Sequence, residues 1–359
     1  MASRLAYPVP SYVGGKQAYK KHIQKRIDAS PICKSNYESF TDNPFSLDLL
    51  PVRLDIENVS RCNLSCTMCQ VSKWTNKQRA RDMTLDEFKS LMDKCPTVVE
   101  VKVQGFGEPL LGESYFDMIS YASNLGIWTR TTVNGTLLHV NDNITKLIDS
   151  PINEIGISID GASASTYEKI RVGAKFNIFL SNLNKLGERA DYLTIEKIKL
   201  NTVLQEDNYA ERHEIIDVIS AVGLKHLNYS FTVSEFGSKE WNSVNSLKSV
   251  VQSIDQKEID NLIDYANQKG VALTFWIGTM KYKPNSPNCC PWPFSRAYLS
   301  SDMRIVPCCI IGNPDTFEFK SEKEPADFLE IWESKEYKQF RIDHLNGTFP
   351  EVCKYCYSY

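Results

Sequence analysis

A chain of 359 residues, 42% apolar and 24% charged, can bury a substantial core as one large barrel domain with a small appendage or as two ordinary domains, which excludes disorder as the default. Its 41 basic and 44 acidic residues leave a formal charge of -3, so no polyanion-binding surface is announced and nucleic acid is unsupported as a partner. No apolar run approaches signal-peptide or membrane-spanning length, which makes a cytoplasmic protein away from membranes the expectation.

Taken in chain order, the first fifty residues carry no clear periodicity and are set apart as an N-terminal extension, 1–50. From residue 51, short β-branched runs alternate with amphipathic stretches, the mark of strand-helix units and a parallel sheet or barrel. Six strands are expected: Val52 to Val59, Val98 to Gln104, Ile127 to Val133, Glu154 to Asp160, Ile195 to Leu204 and His226 to Thr232. Helices fall between them at Thr84 to Lys94, Tyr115 to Leu125, Ile178 to Arg189 and Ala210 to Val222. Thr84 and Glu87 have the spacing of a capping box, and Gly126 and Gly223 stand where left-handed caps sit. The barrel is expected over 51–235, and a separate cysteine- and proline-rich domain over 236–359. That domain opens with a helix-strand pair, Lys257 to Trp276. It continues with a hairpin over Tyr298 to Val306 turning at Ser301 and Asp302, and a helix over Pro325 to Leu345 closed by Gly347. No internal repeat or low-complexity segment interrupts this order.

Eleven cysteines without a secretion signal point to metal ligation or redox chemistry rather than disulfides. Cys62, Cys66 and Cys69 form one group; Cys289, Cys290, Cys308, Cys309, Cys353 and Cys356 form another; Cys33 and Cys95 stand alone. The first group puts three thiolates on one loop at the C-terminal end of the first strand, where barrels of this kind build their sites. A structural zinc site would be closed by a fourth ligand, yet no histidine lies between His22 and His139, and Cys95 should end the first helix on the far side. Three ligands and a vacancy suit a four-iron four-sulfur cluster with one exposed iron.

With its Cys-x3-Cys-x2-Cys spacing, and Met68 before the third cysteine, the chain resembles the radical S-adenosylmethionine (SAM) superfamily. The resemblance implies an α/β fold, a partial (β/α)6 TIM-like barrel, and a [4Fe-4S] cluster whose exposed iron chelates SAM and splits it reductively. Gly105-Phe106-Gly107-Glu108-Pro109 resembles the family's Gly-Gly-Glu-Pro motif, with Phe106 in place of the first glycine, and Glu108 would accept from the methionine ammonium. By the same resemblance Asn134, Ser158 and Asp160 would contact the ribose or carboxylate, Arg171 would pair with the carboxylate, and Val203 and Leu204 would flank the adenine.

Four spaced thiolates in the C-terminal segment imply a closed site, and composition alone leaves zinc and a second iron-sulfur cluster open. The order Cys290-Pro-Trp, strand pair, Pro307-Cys308-Cys309, helix and Cys353-x2-Cys356 resembles the family's SPASM or twitch extension, which favours an auxiliary [4Fe-4S] cluster on Cys290, Cys308, Cys353 and Cys356. Asp302-Met303 departs from the Asp-Gly common in that hairpin. Cys289 and Cys309, the spare neighbours, are candidate hydrogen-atom donors. The expected reaction is hydrogen abstraction from a polar small molecule such as a sugar, aminocyclitol or nucleoside, with oxidation favoured over epimerisation. Maturation of a ribosomal peptide and a non-catalytic iron-sulfur or zinc protein are the alternatives. A reductant such as flavodoxin or ferredoxin is the expected protein partner.

Overall fold

The computed structural model describes residues 5–231, 233–251, 254–277, 282–283, 289–320 and 327–357. Short runs rich in branched and aromatic residues pair as strands: β1 (Arg53–Ile56), β2 (Glu100–Val103), β3 (Trp128–Val133), β4 (Glu154–Ser158), β5 (Ile198–Val203), β6 (His226–Ser230), β7 (Ala272–Trp276), β8 (Arg296–Leu299) and β9 (Ile305–Val306). They form one sheet in the order β7-β6-β5-β4-β3-β2-β1-β8-β9. Every neighbouring pair is parallel except β8 and β9, the antiparallel hairpin. Parallel neighbours need crossovers, and the helices between the strands supply them.

One residue in two along the strands faces these helices. Leu54, Ile56, Val101, Val103, Ile155, Ile157, Ile198 and Leu200 join Phe88, Leu91, Met118 and Leu183 in the main core. The alternate residues are polar and line the concave face, which is why β5 and β6 alternate buried and partly exposed positions. At the N-terminal end of the strands these residues form a ladder of ion pairs. Glu100 joins Arg53 and Arg130 at 3.2 and 3.1 Å, and Glu154 joins Arg130 and Lys199 at 2.9 and 3.5 Å. The N-terminal extension closes that end: the Tyr12 hydroxyl donates to Glu100 and the Val13 amide to Glu154, each at 3.0 Å.

Several expectations shift for identifiable reasons. The aperiodic N-terminus contains helices Gly15–Asp28 and Pro31–Asp42; the second starts on a Ser30 cap with proline in its first turn, and the first buries only the sparse stripe Tyr19, Ile23, Arg26 and Ile27. Ile195 belongs to a helix, Tyr192–Lys197, because the Asp191 side chain caps it. The strand-helix alternation runs one unit past 235, with helix Gln256–Gln268 leading into β7 beside β6. The expected helix over 325–345 is two, Phe328–Trp332 and Lys335–Asn346, since Ser334 accepts from the Tyr337 amide and starts a new one. Thr232 and Pro325 lie outside the described residues. The Thr84–Glu87 capping box and the left-handed Gly126, Gly223 and Gly347 stand as expected. Met303, where Asp-Gly is usual, sits at φ 69, a conformation glycine adopts without penalty.

Candidate active site and its two thiol groups

The loop after β1 carries Cys62, Cys66 and Cys69 and is held by backbone bonds to the segment after β4. The Ser65 amide donates to the Val172 carbonyl at 2.8 Å, and the Thr67 amide to the Ile170 carbonyl at 3.0 Å. Asn245 Nδ2 reaches the Met68 carbonyl at 3.2 Å from the other side. Burial pushes the Cys62 and Cys69 thiols up to about 12 and Cys66 upward as well. Three such thiols need a cationic partner to ionise, and an iron-sulfur cluster is one.

Gly107 lets the next loop lie against the cysteine loop: a β-carbon there would stand 2.1 Å from the Val59 carbonyl oxygen and 2.7 Å from that of Arg61. The Glu108 amide donates to the Arg61 carbonyl at 2.9 Å, so its side chain is fixed from both ends. Oε2 accepts from the Asn134 amide at 2.8 Å, while buried Oε1 has no hydrogen-bond partner among the described residues. Burial holds this carboxyl up at about 7. A buried acceptor without a donor fits a ligand ammonium.

The Asn134 side chain is spent on its neighbours: Nδ2 donates to Asn63 Oδ1 at 2.8 Å, and Oδ1 accepts from the Thr136 amide and hydroxyl at 2.9 and 2.6 Å. Asn63, inside the cysteine motif, also donates to Thr136 Oγ1 at 2.9 Å and so ties the cysteine loop to the loop after β3. Its position in the motif was the only sequence signal, and it was passed over.

Asp160 and Arg171 were expected at SAM, and the structure brings them to each other. Arg171 donates to Asp160 Oδ2 through Nε at 2.8 Å and lies within 2.6 Å of it through Nη2, with both groups buried. Asp160 Oδ1 accepts from the Val203 amide at 2.8 Å. Ser158 and Val203 are partly exposed on the concave face, whereas Leu204 is buried in the main core. Gln205, just after β5, carries no sequence signal; it is fully buried, and neither side-chain amide atom has a partner among the described residues.

In the C-terminal region Cys290, Cys308, Cys353 and Cys356 line one cavity with Trp292, Pro307 and Phe340. Burial raises the Cys290, Cys308 and Cys353 thiols, and each is raised further by neighbouring thiols of the same four. Among the described residues no three Cys, His, Asp or Glu side chains converge as one metal ion requires. The two spare cysteines point elsewhere. Cys289 packs with Phe294 and Tyr357, and Cys309 lies beside Asp55 of β1.

Glu57, just after β1, joins the two regions. This fully buried carboxylate accepts from Arg79 Nη2 at 2.6 Å, the Phe106 amide at 3.1 Å, the Tyr298 hydroxyl at 2.9 Å and the Ser301 amide at 3.2 Å. Arg79 continues to Asp302 in the hairpin at 3.1 Å. A β-carbon on Gly312 would sit 2.3 Å from the Phe106 ring, so the bulk at 106 is accommodated by a glycine across the interface.

The radical SAM superfamily model matches residues 58–219, and the model of the SPASM iron-sulfur cluster-binding domain matches 289–357. The AdoMet-dependent heme synthase of Methanosarcina barkeri is 26% identical over 326 residues, covering 84% of this chain and 89% of that protein. The PqqA peptide cyclase of Bradyrhizobium diazoefficiens is 21% identical over 313 residues, covering 86% of this chain and 79% of that one. Among solved structures, Streptococcus suis SuiB bound to its precursor peptide SuiA superposes with a TM-score of 0.63 at 15% identity, over 85% of this chain and 69% of that chain, which speaks for the fold. Both family models fall on the two thiol-bearing regions, with SAM, a [4Fe-4S] cluster and an auxiliary cluster as the implied cofactors: the chain is a radical SAM superfamily enzyme with a C-terminal SPASM domain.

Proposed function

We propose that this enzyme modifies a peptide, forming a crosslink after hydrogen abstraction from one of its residues. The observation that carries the reading is similarity along most of the chain to a protein named for cyclising a peptide, on a frame shared with one solved bound to its precursor peptide. Against the sugar-like substrate expected from the sequence stands the peptide cyclase, which matches over 86% of this chain.

With SAM and both clusters bound, such a site supplies a 5'-deoxyadenosyl radical to take the substrate hydrogen and an acceptor for the electron left behind. In this proposal Cys62, Cys66 and Cys69 hold the first cluster, and Cys290, Cys308, Cys353 and Cys356 hold the second. Glu108 Oε1 receives the methionine ammonium, Met68, Ser158 and Val203 line the pocket, and Asn134 and the Asp160–Arg171 pair fix the loops around it. A flavodoxin or ferredoxin supplies the electron. No helix among the described residues is long and apolar enough to cross a membrane.

The test is anaerobic incubation of reconstituted enzyme, SAM and dithionite with synthetic peptides matching short reading frames beside its gene. A peptide that loses two hydrogens by mass spectrometry, in step with 5'-deoxyadenosine release, is the expected result. Turnover of an aminocyclitol or nucleoside panel with every peptide untouched would overturn it.

A further inference from the structure

The concave-face residues of β1 to β5 carry four cations, Arg53, Lys102, Arg130 and Lys199, against three carboxylates, Asp55, Glu100 and Glu154. Arg53, Arg130 and Lys199 each have a carboxylate within 3.5 Å. Lys102 has no hydrogen bond or ion pair with any described residue, and its register partner Asp55 stays beyond the 4.0 Å of an ion pair. The Asp55 carboxyl lies beside the Cys309 thiol as well; burial pushes it up, and the charges of Lys102 and Arg130 act to lower it.

Lys102 is only half-buried, and further toward the C-terminal ends of the strands the concave-face positions Thr132, Ser158 and Asn201 are partly open too. Gly156 lets the Thr132 and Asn201 side chains close over β4, since a β-carbon there would lie 2.6 Å from Thr132 Oγ1 and 2.8 Å from Asn201 Nδ2. An ammonium half withdrawn from water, one negative charge short of balance and beside an open polar wall, is stabilised most by an incoming anion that accepts its hydrogens.

We infer that Lys102 anchors a carboxylate of the substrate on the concave face of the barrel. This rests on the reading that the substrate enters that face, and it narrows the substrate class to one bearing a carboxylate, either an acidic side chain of a peptide or a free carboxylic acid.

The experiment uses the reconstituted, SAM-bound enzyme and a pulse of acetic anhydride, with acetylation of Lys102 read by mass spectrometry against exposed Lys175 as reference. Glutarate and the peptide acetyl-Gly-Glu-Gly-amide are compared with their uncharged counterparts, glutaramide and acetyl-Gly-Gln-Gly-amide. Slowing of Lys102 acetylation several-fold by both acids and by neither amide, with Lys175 unaffected, is expected. Protection by the amides to the same extent, or by none of the four, overturns the anchor. Protection by glutarate without the glutamate peptide keeps the anchor and counts against the peptide reading, so the two fail separately.

Discussion

The loop of Cys62, Cys66 and Cys69 hangs from strands whose outer faces belong to a large apolar core, and Cys62 and Cys66 pack against that core. The segment with Cys290, Cys308, Cys353 and Cys356 shares that core through Leu299, Trp332, Tyr337 and Phe340, but beside the four cysteines lie two small apolar clusters against which they pack. The barrel therefore holds its site in place, whereas in the C-terminal region the ligands are part of what holds the fold. Metal binding and folding should be coupled in the second region and nearly independent in the first.

The largest effect tests that difference directly. Changing Cys62, Cys66 and Cys69 to alanine should abolish SAM cleavage and remove about four irons per chain while the barrel's amide exchange protection persists. Changing Cys353 and Cys356 to alanine should remove a similar amount of iron and also release amide protection across 289–357. Equal protection in the two variants would break the comparison.

Next comes the joint between the regions. Glu57→Gln leaves Asp302 as the only carboxylate on buried Arg79 and sets an amide donor against either the Phe106 or the Ser301 amide. A loss of about 3 kcal/mol or more is expected, the cost of stripping a buried charge of its partner. Denaturant unfolding measures it. A loss within the range of a surface change would mean that the two regions are held together by packing alone, with Phe106 on Gly312 as the contact.

Much of the first region was legible because its chemistry is local: three cysteines in eight residues, Gly107-Glu108 in one turn, and the Thr84–Glu87 box. What escaped depends on partners far apart in sequence. Asp160 and Arg171 were each assigned to a ligand, but their pairing exists only once β4 and the following turn have formed. Tyr12 on Glu100 and Glu57 on Tyr298 span 88 and 241 positions, beyond any periodicity argument. The N-terminal helices were missed because their polar sequences bury few residues each.

A smaller effect concerns Glu108. Glu108→Gln should weaken SAM binding by about 1 to 3 kcal/mol with cluster content unchanged, because the charge-assisted contact is lost at nearly constant shape. Wild-type affinity for SAM should rise as pH passes upward through about 7, since the ionised carboxylate is the form that receives an ammonium. Without SAM the sign for stability is opposite. The folded carboxyl keeps its proton above the pH at which an unfolded one loses it, so this group makes the ligand-free protein less stable as pH rises toward about 7. Titration calorimetry across that range checks the first statement and thermal unfolding the second; a flat affinity profile would remove Glu108 from the ammonium site.

The smallest effect sharpens the comparison with two matched helix caps. Thr84 Oγ1 accepts from the Glu87 amide at 3.2 Å at the start of helix Leu85–Lys94, and Ser334 Oγ accepts from the Tyr337 amide at 3.2 Å at the start of Lys335–Asn346. Removing either hydroxyl with alanine should cost about 1 kcal/mol. In the barrel that loss is spread over a core to which Phe88, Leu91 and Met92 remain bound, so SAM affinity and iron content should not move. The second helix carries Phe340 and His344, which line the four-thiol cavity. There the same loss falls on the helix that lines the ligands, and auxiliary iron should be lost faster to a chelator in Ser334→Ala than in Thr84→Ala. Ser334→Thr should restore the slower rate, because the hydroxyl is what the cap requires. Identical chelation rates in the two alanine variants would show that the C-terminal region is held as firmly by the barrel as the cysteine loop is.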